Sequence, residues 1–163
     1  MTTSGISVAE LKRAMMARSC GRAARSRTAP ASFLELPEDD WYFLREAGFA
    51  MADLFEGDAL QAIERLCRDW FAPGRVYFVS AEARFVKIGF ATSPAERISS
   101  LQTAHYAELR TVSLIPGTMD LEVALHRRFS AYRARREWFR REGELARFLG
   151  RVEAAFIIAT EAA

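Results

Sequence analysis

Lys87 is the sharpest chemical feature of this sequence. It stands in Phe85-Val-Lys-Ile-Gly-Phe90, a β-rich run. A cation on a sheet face amid apolar neighbours needs a reason, and a phosphate, or base work by an amine of lowered pKa, would give one. The plain alternative is an edge-strand lysine snorkelling to water. Arg97 offers a planar bidentate donor suited to phosphate, although an arginine on an exposed helix needs no ligand. Glu122 and His126, four apart, share one helix face, either as a salt bridge or as parts of a site. Tyr77, in Val-Tyr-Phe, is a strand tyrosine that packs with a solvated hydroxyl unless something reacts there. His105 and His126 are accessory or structural groups. Arg127, Arg128, Arg133, Arg135, Arg136, Arg140 and Arg141 follow with only Glu137 among them. Such a cluster reads as a surface for the backbone of DNA or RNA, since a merely solvated helical face interleaves more acid.

The elements that must position these residues are legible in outline. If Ser80–Arg84 connect a hairpin, Val79 pairs with Phe85, and Tyr77 lies opposite Lys87 on one face of the ribbon. Val76 and Phe78 then share the other face with Val86, Ile88 and Phe90. Ser93 is an expected N-cap, Pro94 suits the first helical position, and Glu96 completes a capping box. Glu108–Ile115 alternates as a third strand and ends at Pro116-Gly117. Thr118 can cap a helix whose stripe is Leu121, Leu125 and Phe129. A final helix runs through Leu145, Phe148, Leu149, Val152 and Phe156.

Tyr77, Gly89 in Lys-Ile-Gly, Arg97 eight positions later and Glu122 on a later helix resemble the GIY-YIG endonuclease superfamily. The likeness is closest to a mostly phage and microbial branch with a Lys-Ile-Gly second motif, whose later motifs resemble Leu101-Gln-Thr, Glu122-x-x-x-His126 and Glu137-Trp-Phe139. It covers Arg75 to about Phe148. Each motif is short, but their order and spacing together are specific. Two departures stand out: Arg75-Val76 replaces Gly-Ile, and Lys87 replaces the second tyrosine of the superfamily name. The resemblance implies a divalent-metal-dependent endonuclease hydrolysing phosphodiester bonds. Arg97 would clamp the phosphate, and Glu122 would be the protein ligand of Mg²⁺ or Mn²⁺. Tyr77 and Lys87 would position or activate water, with His126 beside them. Arg127, Arg128, Arg133, Arg135, Arg136 and Arg140 would hold nucleic acid, DNA foremost with RNA open. The rival expectation is a catalytically degenerate nucleic-acid-binding or phage-associated structural module.

Composition frames the rest. The chain has 163 residues, half of them apolar and 12 phenylalanine, which is material for a real core. The net charge of +2 hides a basic, acidic, basic layout: +5 over residues 1–32, −7 over 33–74 and +4 from Arg75 onward. Residues 1–32 read as a basic, flexible arm, with Ile6, Val8, Leu11, Met15 and Met16 able to form a short amphipathic helix before a linker from Ser19 to Ser32. A solvated terminus, a phosphate-gripping arm and a transit peptide are its three readings. Residues 33–74 read as an acidic helical unit, with a helix start at Pro37, stops at Gly48 and Gly57, and Asp58 capping a helix that buries Leu60, Ile63, Cys67 and Trp70. This unit is also a candidate protein-partner surface. Cys20, Cys67 and the two histidines lack zinc-ligand spacing. No apolar run suits a membrane span, and a cytoplasmic setting in a bacterial or phage-infected cell is expected, with organellar targeting open. The expected fold is α+β: a small, three-stranded, mainly antiparallel sheet flanked by helices in residues 75–163, with a helical N-terminal appendage.

Overall fold

The computed structural model describes residues 6–23, with side chains as far as Ala17, and residues 35–161. The arginines expected in the N-terminal arm beyond Arg13, together with Cys20, lie outside the described side chains. Helix α1, Val8–Ala23, takes in the start of the expected linker, and the remainder of that linker is outside the described residues. Leu11 and Met15 are buried on α2, while Met16 faces solvent.

The architecture is α+β, with six helices around a five-stranded antiparallel sheet among the described residues. Helices α2 (Glu38–Phe55) and α3 (Ala59–Asp69) precede strands β1 (Arg75–Ala81) and β2 (Phe85–Ala91). Helix α4 (Pro94–Thr103), strand β3 (Leu109–Pro116) and helix α5 (Met119–Arg128) follow. Short strands β4 (Arg133–Arg135) and β5 (Trp138–Arg140) then lead to α6 (Gly143–Glu161). The sheet order is β3-β1-β2-β5-β4. The expectation of three strands therefore falls short by two. Strands β4 and β5 have three residues each, and arginines occupy three of those six positions, so they carry no alternation by which to be recognised.

Alternation sorts the sheet into two faces. Val76, Phe78, Val86, Ile88, Ile115 and Phe139 join a core shared with α2, α3, α5 and α6. Tyr77, Val79, Lys87, Gly89 and Trp138 lie on the opposite face, over which α4 packs. The hairpin pairing differs from the expected one: Ala81 pairs with Phe85, Val79 with Lys87 and Tyr77 with Gly89. The turn is shorter than expected, because Glu82 and Ala83 both adopt positive φ and reverse the chain tightly. A register displaced by two residues preserves every side chain's face, so Tyr77 and Lys87 share a face although they are not opposite one another.

Three local expectations need correction. Ser93 precedes α4 with Pro94 in the first turn, but it makes no side-chain cap and the capping box is not formed. Thr118 likewise makes no side-chain cap at the start of α5. Gly48 does not stop α2; a Cβ there would come within 2.1 Å of Ile63, so this glycine lets α2 and α3 touch. The helix ends where Glu56 turns left-handed, just before Gly57. Asp58 does cap α3, accepting from the Leu60 amide at 2.9 Å.

The acidic helical unit is built into the fold. Helix α2 packs along α6, Asp53 pairs with Arg151 at 2.5 Å, and Arg128 donates to the Leu54 carbonyl at 2.8 Å. Arg75, where the superfamily motif has glycine, donates to the carbonyls of Ala72, Gly74 and Trp70 and lies 5.8 Å over the Trp70 ring. Burial presses its guanidinium pKa down, with Asp69 opposing. This departure from the motif ties α3 to β1.

Candidate active site

The candidate site forms along the edge of β2. Strand β5 pairs with β2 only from Phe85 to Lys87, which leaves the backbone groups beyond Lys87 without a strand partner on that side. Side chains and loops supply the partners. The Ile88 amide donates to the Glu137 carbonyl at 3.2 Å, and the Ile88 carbonyl accepts from His126 Nε2 at 2.9 Å. The Phe90 amide acts on the Glu122 carboxylate, lowering its pKa. The unpaired stretch of β2 thus gathers Glu122, His126 and Glu137. Because a carbonyl can only accept, the Ile88 bond fixes the proton on Nε2 and leaves Nδ1 as the nitrogen that can take another.

Lys87 lies beside this edge, 6% exposed, and its ammonium is paired with Glu137. Glu122 Oε1 is 3.7 Å from His126 Nε2, and the His126 ring meets Phe139 edge-on at 5.1 Å. Burial raises the Glu122 carboxyl above the usual range. Glu137 raises it further, while His126, the Phe90 amide and Lys87 pull it down. Glu137 is held below the usual range, first by its hydrogen bond from Lys87 and also by the charges of Lys87, His126 and Arg97, with burial opposing. Arg97, in the first turns of α4, is exposed and lies within the field of Glu137. Lys87, Arg97, Glu122 and His126 are therefore neighbours of one electrostatic cluster.

Tyr77 is placed differently. It is 1% exposed, and its ring lies where a side chain at position 89 would be, since a Cβ on Gly89 would come within 2.3 Å of Tyr77 Cζ and the hydroxyl oxygen. Only glycine admits that approach. The tyrosine and the glycine of the two motifs are thus halves of one packing contact.

Two contributors were not assigned roles by sequence reasoning. Glu137 stood out as the acid among arginines and as the start of Glu137-Trp-Phe139, but without a role, and its pairing with Lys87 follows from a strand too short to see. Gln102, from Leu101-Gln-Thr, accepts from the Leu109 amide at 2.7 Å and donates to the Ala107 carbonyl at 3.0 Å. It fastens the α4–β3 loop, and with it His105, which meets Trp138 at 5.2 Å.

The arginine cluster divides. Arg128 pairs with Glu144, and Arg141 with Glu153 at 2.5 Å. Arg140 reaches the Ala131 carbonyl at 3.1 Å, and Arg133 bonds the Arg136 carbonyl and covers the Phe139 ring at 5.0 Å. Arg127, Arg135 and Arg136 are exposed and make no side-chain hydrogen bond or ion pair with the described residues. Arg135, at the end of β4, and Arg136, in the β4–β5 turn with φ +53°, precede Glu137. A cavity of about 680 Å³ between α2–α3 and the start of α5 is lined by Met51, Phe55, Leu66 and Leu121 and is separate from this cluster.

A sheet edge carrying two carboxylates, two cations and an imidazole defines a site suited to an anionic substrate. Residues 74–154 match the T5orf172 domain, a phage-associated domain linked to nuclease-like, nucleic-acid-associated function. Searches of curated proteins and of solved structures found no significant match to the chain. No helix among the described residues is long and apolar enough to cross a membrane.

Proposed function

We propose that this protein is a divalent-metal-dependent endonuclease of GIY-YIG type, acting on DNA through the edge of β2. The observation that supports this reading most is the gathering of Glu122, His126 and Glu137 along the edge of β2, with Lys87 beside them and Arg97 acting on Glu137 through its charge. Arg97, exposed and without a side-chain hydrogen bond or ion pair to the described residues, clamps a phosphate. Arg135 and Arg136 hold the strand beside it. Lys87 and Glu137 pair at the floor, and the hydrogen bond from the lysine favours the charged Glu137 carboxylate. His126, with Nε2 committed to Ile88, accepts or returns a proton at Nδ1. Tyr77 acts by position: its ring braces Gly89 and so the β2 edge that orients Glu122 and His126.

The donor set fits Mg²⁺ or Mn²⁺. Among the described residues no three acidic, histidine or cysteine side chains form a metal cage. Glu122 and Glu137 instead repel one another, as a hard cation taking one or two carboxylates and keeping its waters would relieve. Glu122 would be the ligand, and the ion when bound supplies charge stabilisation and an acidified water.

The test is Glu122→Gln. Metal-dependent cutting of DNA should collapse while metal-free binding persists or tightens, because a carboxylate that repels phosphate is gone. A Glu122→Gln protein that cuts as well as wild type would sink the mechanism. The second reading, a binding module without cleavage, is favoured by the burial of Tyr77, which withholds a phenol from water. Metal-independent binding with no cutting of any DNA by wild type would establish it.

A further inference from the structure

Beside the candidate site runs a ladder of three aromatic rings. Trp138 pairs with Lys87 across β2–β5 and so shares its face. His105 tilts onto Trp138 at 5.2 Å and 35°, and Tyr106 stacks on His105 at 5.1 Å and 14°. Tyr106 is 89% exposed, the most exposed large apolar side chain among the described residues. It is nonetheless held in place. Its hydroxyl donates to Glu82 Oε1 at 2.9 Å in the β1–β2 turn, and Gln102 and the His105 ring fix the loop behind it.

An aromatic ring anchored on one face and at its hydroxyl, with the other face bare, is preorganised to receive a flat partner, because little freedom remains to be lost. The partner's class follows from the neighbourhood. The ladder begins beside Lys87, and exposed Arg97, Arg135 and Arg136 supply positive charge around the same site. A flat group attached to a polyanion is a nucleobase, and every base offers a π-face whatever its sequence. A base inside a duplex is already stacked on both sides and cannot present that face.

Resting on the nuclease reading above, we propose that Tyr106, backed by His105 and Trp138, is a stacking platform for an unpaired base of DNA. It would direct the site to strands with a bulge, gap or single-stranded end rather than to continuous duplex.

The experiment uses the full chain and two DNA duplexes, identical except that one carries a single bulged 2-aminopurine. Wild type should quench the bulged 2-aminopurine and bind that DNA more tightly than the continuous duplex. Tyr106→Ala should lose the quenching and about tenfold of the affinity for bulged DNA, within the range measured for removing one base-stacking aromatic. Affinity for continuous duplex should stay within about twofold of wild type on the same account. Tyr106→Phe, which keeps the ring and drops the bond to Glu82, should retain most of the quenching. Because the side chain is so exposed, Tyr106→Ala should leave the melting temperature unchanged. If wild type cuts DNA but Tyr106→Ala binds and quenches bulged DNA as wild type does, the platform is refuted and the nuclease reading stands. If wild type binds neither DNA, both fail.

Discussion

Glu137→Ala and Lys87→Met delete opposite ends of one ion pair, yet their effects on stability should differ widely. The side chain of Lys87 is 7% exposed and that of Glu137 is 45% exposed. Removing the lysine leaves a carboxylate that water can reach, and methionine fills the vacated channel with a similar volume, so the change should be worth within about 1 kcal/mol of zero, as for a surface pair. Removing the glutamate strands an ammonium in the sheet interior. Breaking a buried pair from one side costs about 3–5 kcal/mol. Glu122 still acts on Lys87, so about 3 kcal/mol is the expected loss. For a chain of this length that lowers the melting temperature by roughly 6–12 °C. Urea unfolding followed by tryptophan fluorescence at neutral pH gives both values. Acid unfolding adds a signature: the pKa of Glu137 is depressed below its ordinary 4.5, chiefly by the Lys87 hydrogen bond. The stability from this pair is therefore complete above pH 4.5 and lost as pH falls through the lower folded-state value. Lys87→Met should lack that acid-side loss. A Lys87→Met protein as unstable as Glu137→Ala would refute the asymmetry, and with it the assignment of Lys87 as the buried partner.

Other changes test other contacts. Gly89→Ala would drive a methyl into the Tyr77 ring, and an overpacked core site of this kind should lose about 1–3 kcal/mol in urea unfolding; wild-type stability would mean the ring does not lie there. Glu122 titrates above 4.5 because it is buried and faces Glu137, so its charged form opposes folding at neutral pH. Glu122→Gln should then be more stable than wild type at pH 7, with the gain vanishing below the ordinary carboxylate range; a less stable variant would contradict this. Asp58→Ala removes the α3 cap and should lower stability by about 1 kcal/mol, whereas Asp58→Asn should hold most of it.

What could be seen in the sequence depended on the range of the interactions involved. Strands β1, β2 and β3 are β-rich runs of seven or eight residues, and both their identity and the shared face of Tyr77 and Lys87 were legible. The pairing was not, because two successive positive-φ residues, Glu82 and Ala83, carry no glycine to announce a tight turn. Glu122 and His126 were visible as a pair at helical spacing, but their common purpose, satisfying the bare edge of β2, depends on how soon β5 ends. The role of Glu137 was hidden for the same reason. The depth of Tyr77 was illegible as well, since nothing in Val-Tyr-Phe says that its ring fills the space left by a glycine on the next strand. Arg75 looked like a lapse in a motif and is instead a clasp on three carbonyls.

The packing of α2 along α6 also fixes when the molecule can become itself. Residues 38–55 leave the ribosome long before residues 143–161, and the intervening sheet has an apolar face whose core includes residues of α6. At a synthesis rate of about 5–20 residues per second, Val76, Phe78 and Ile88 wait several seconds for Phe148, Leu149 and Val152 to arrive. During that interval the nascent chain offers β-strands with one bare greasy side and unpaired edges, the form in which chains most readily stick to one another. A ribosome stalled anywhere before α6 would release no shortened working form of the protein, only a polypeptide for chaperones or proteases to collect.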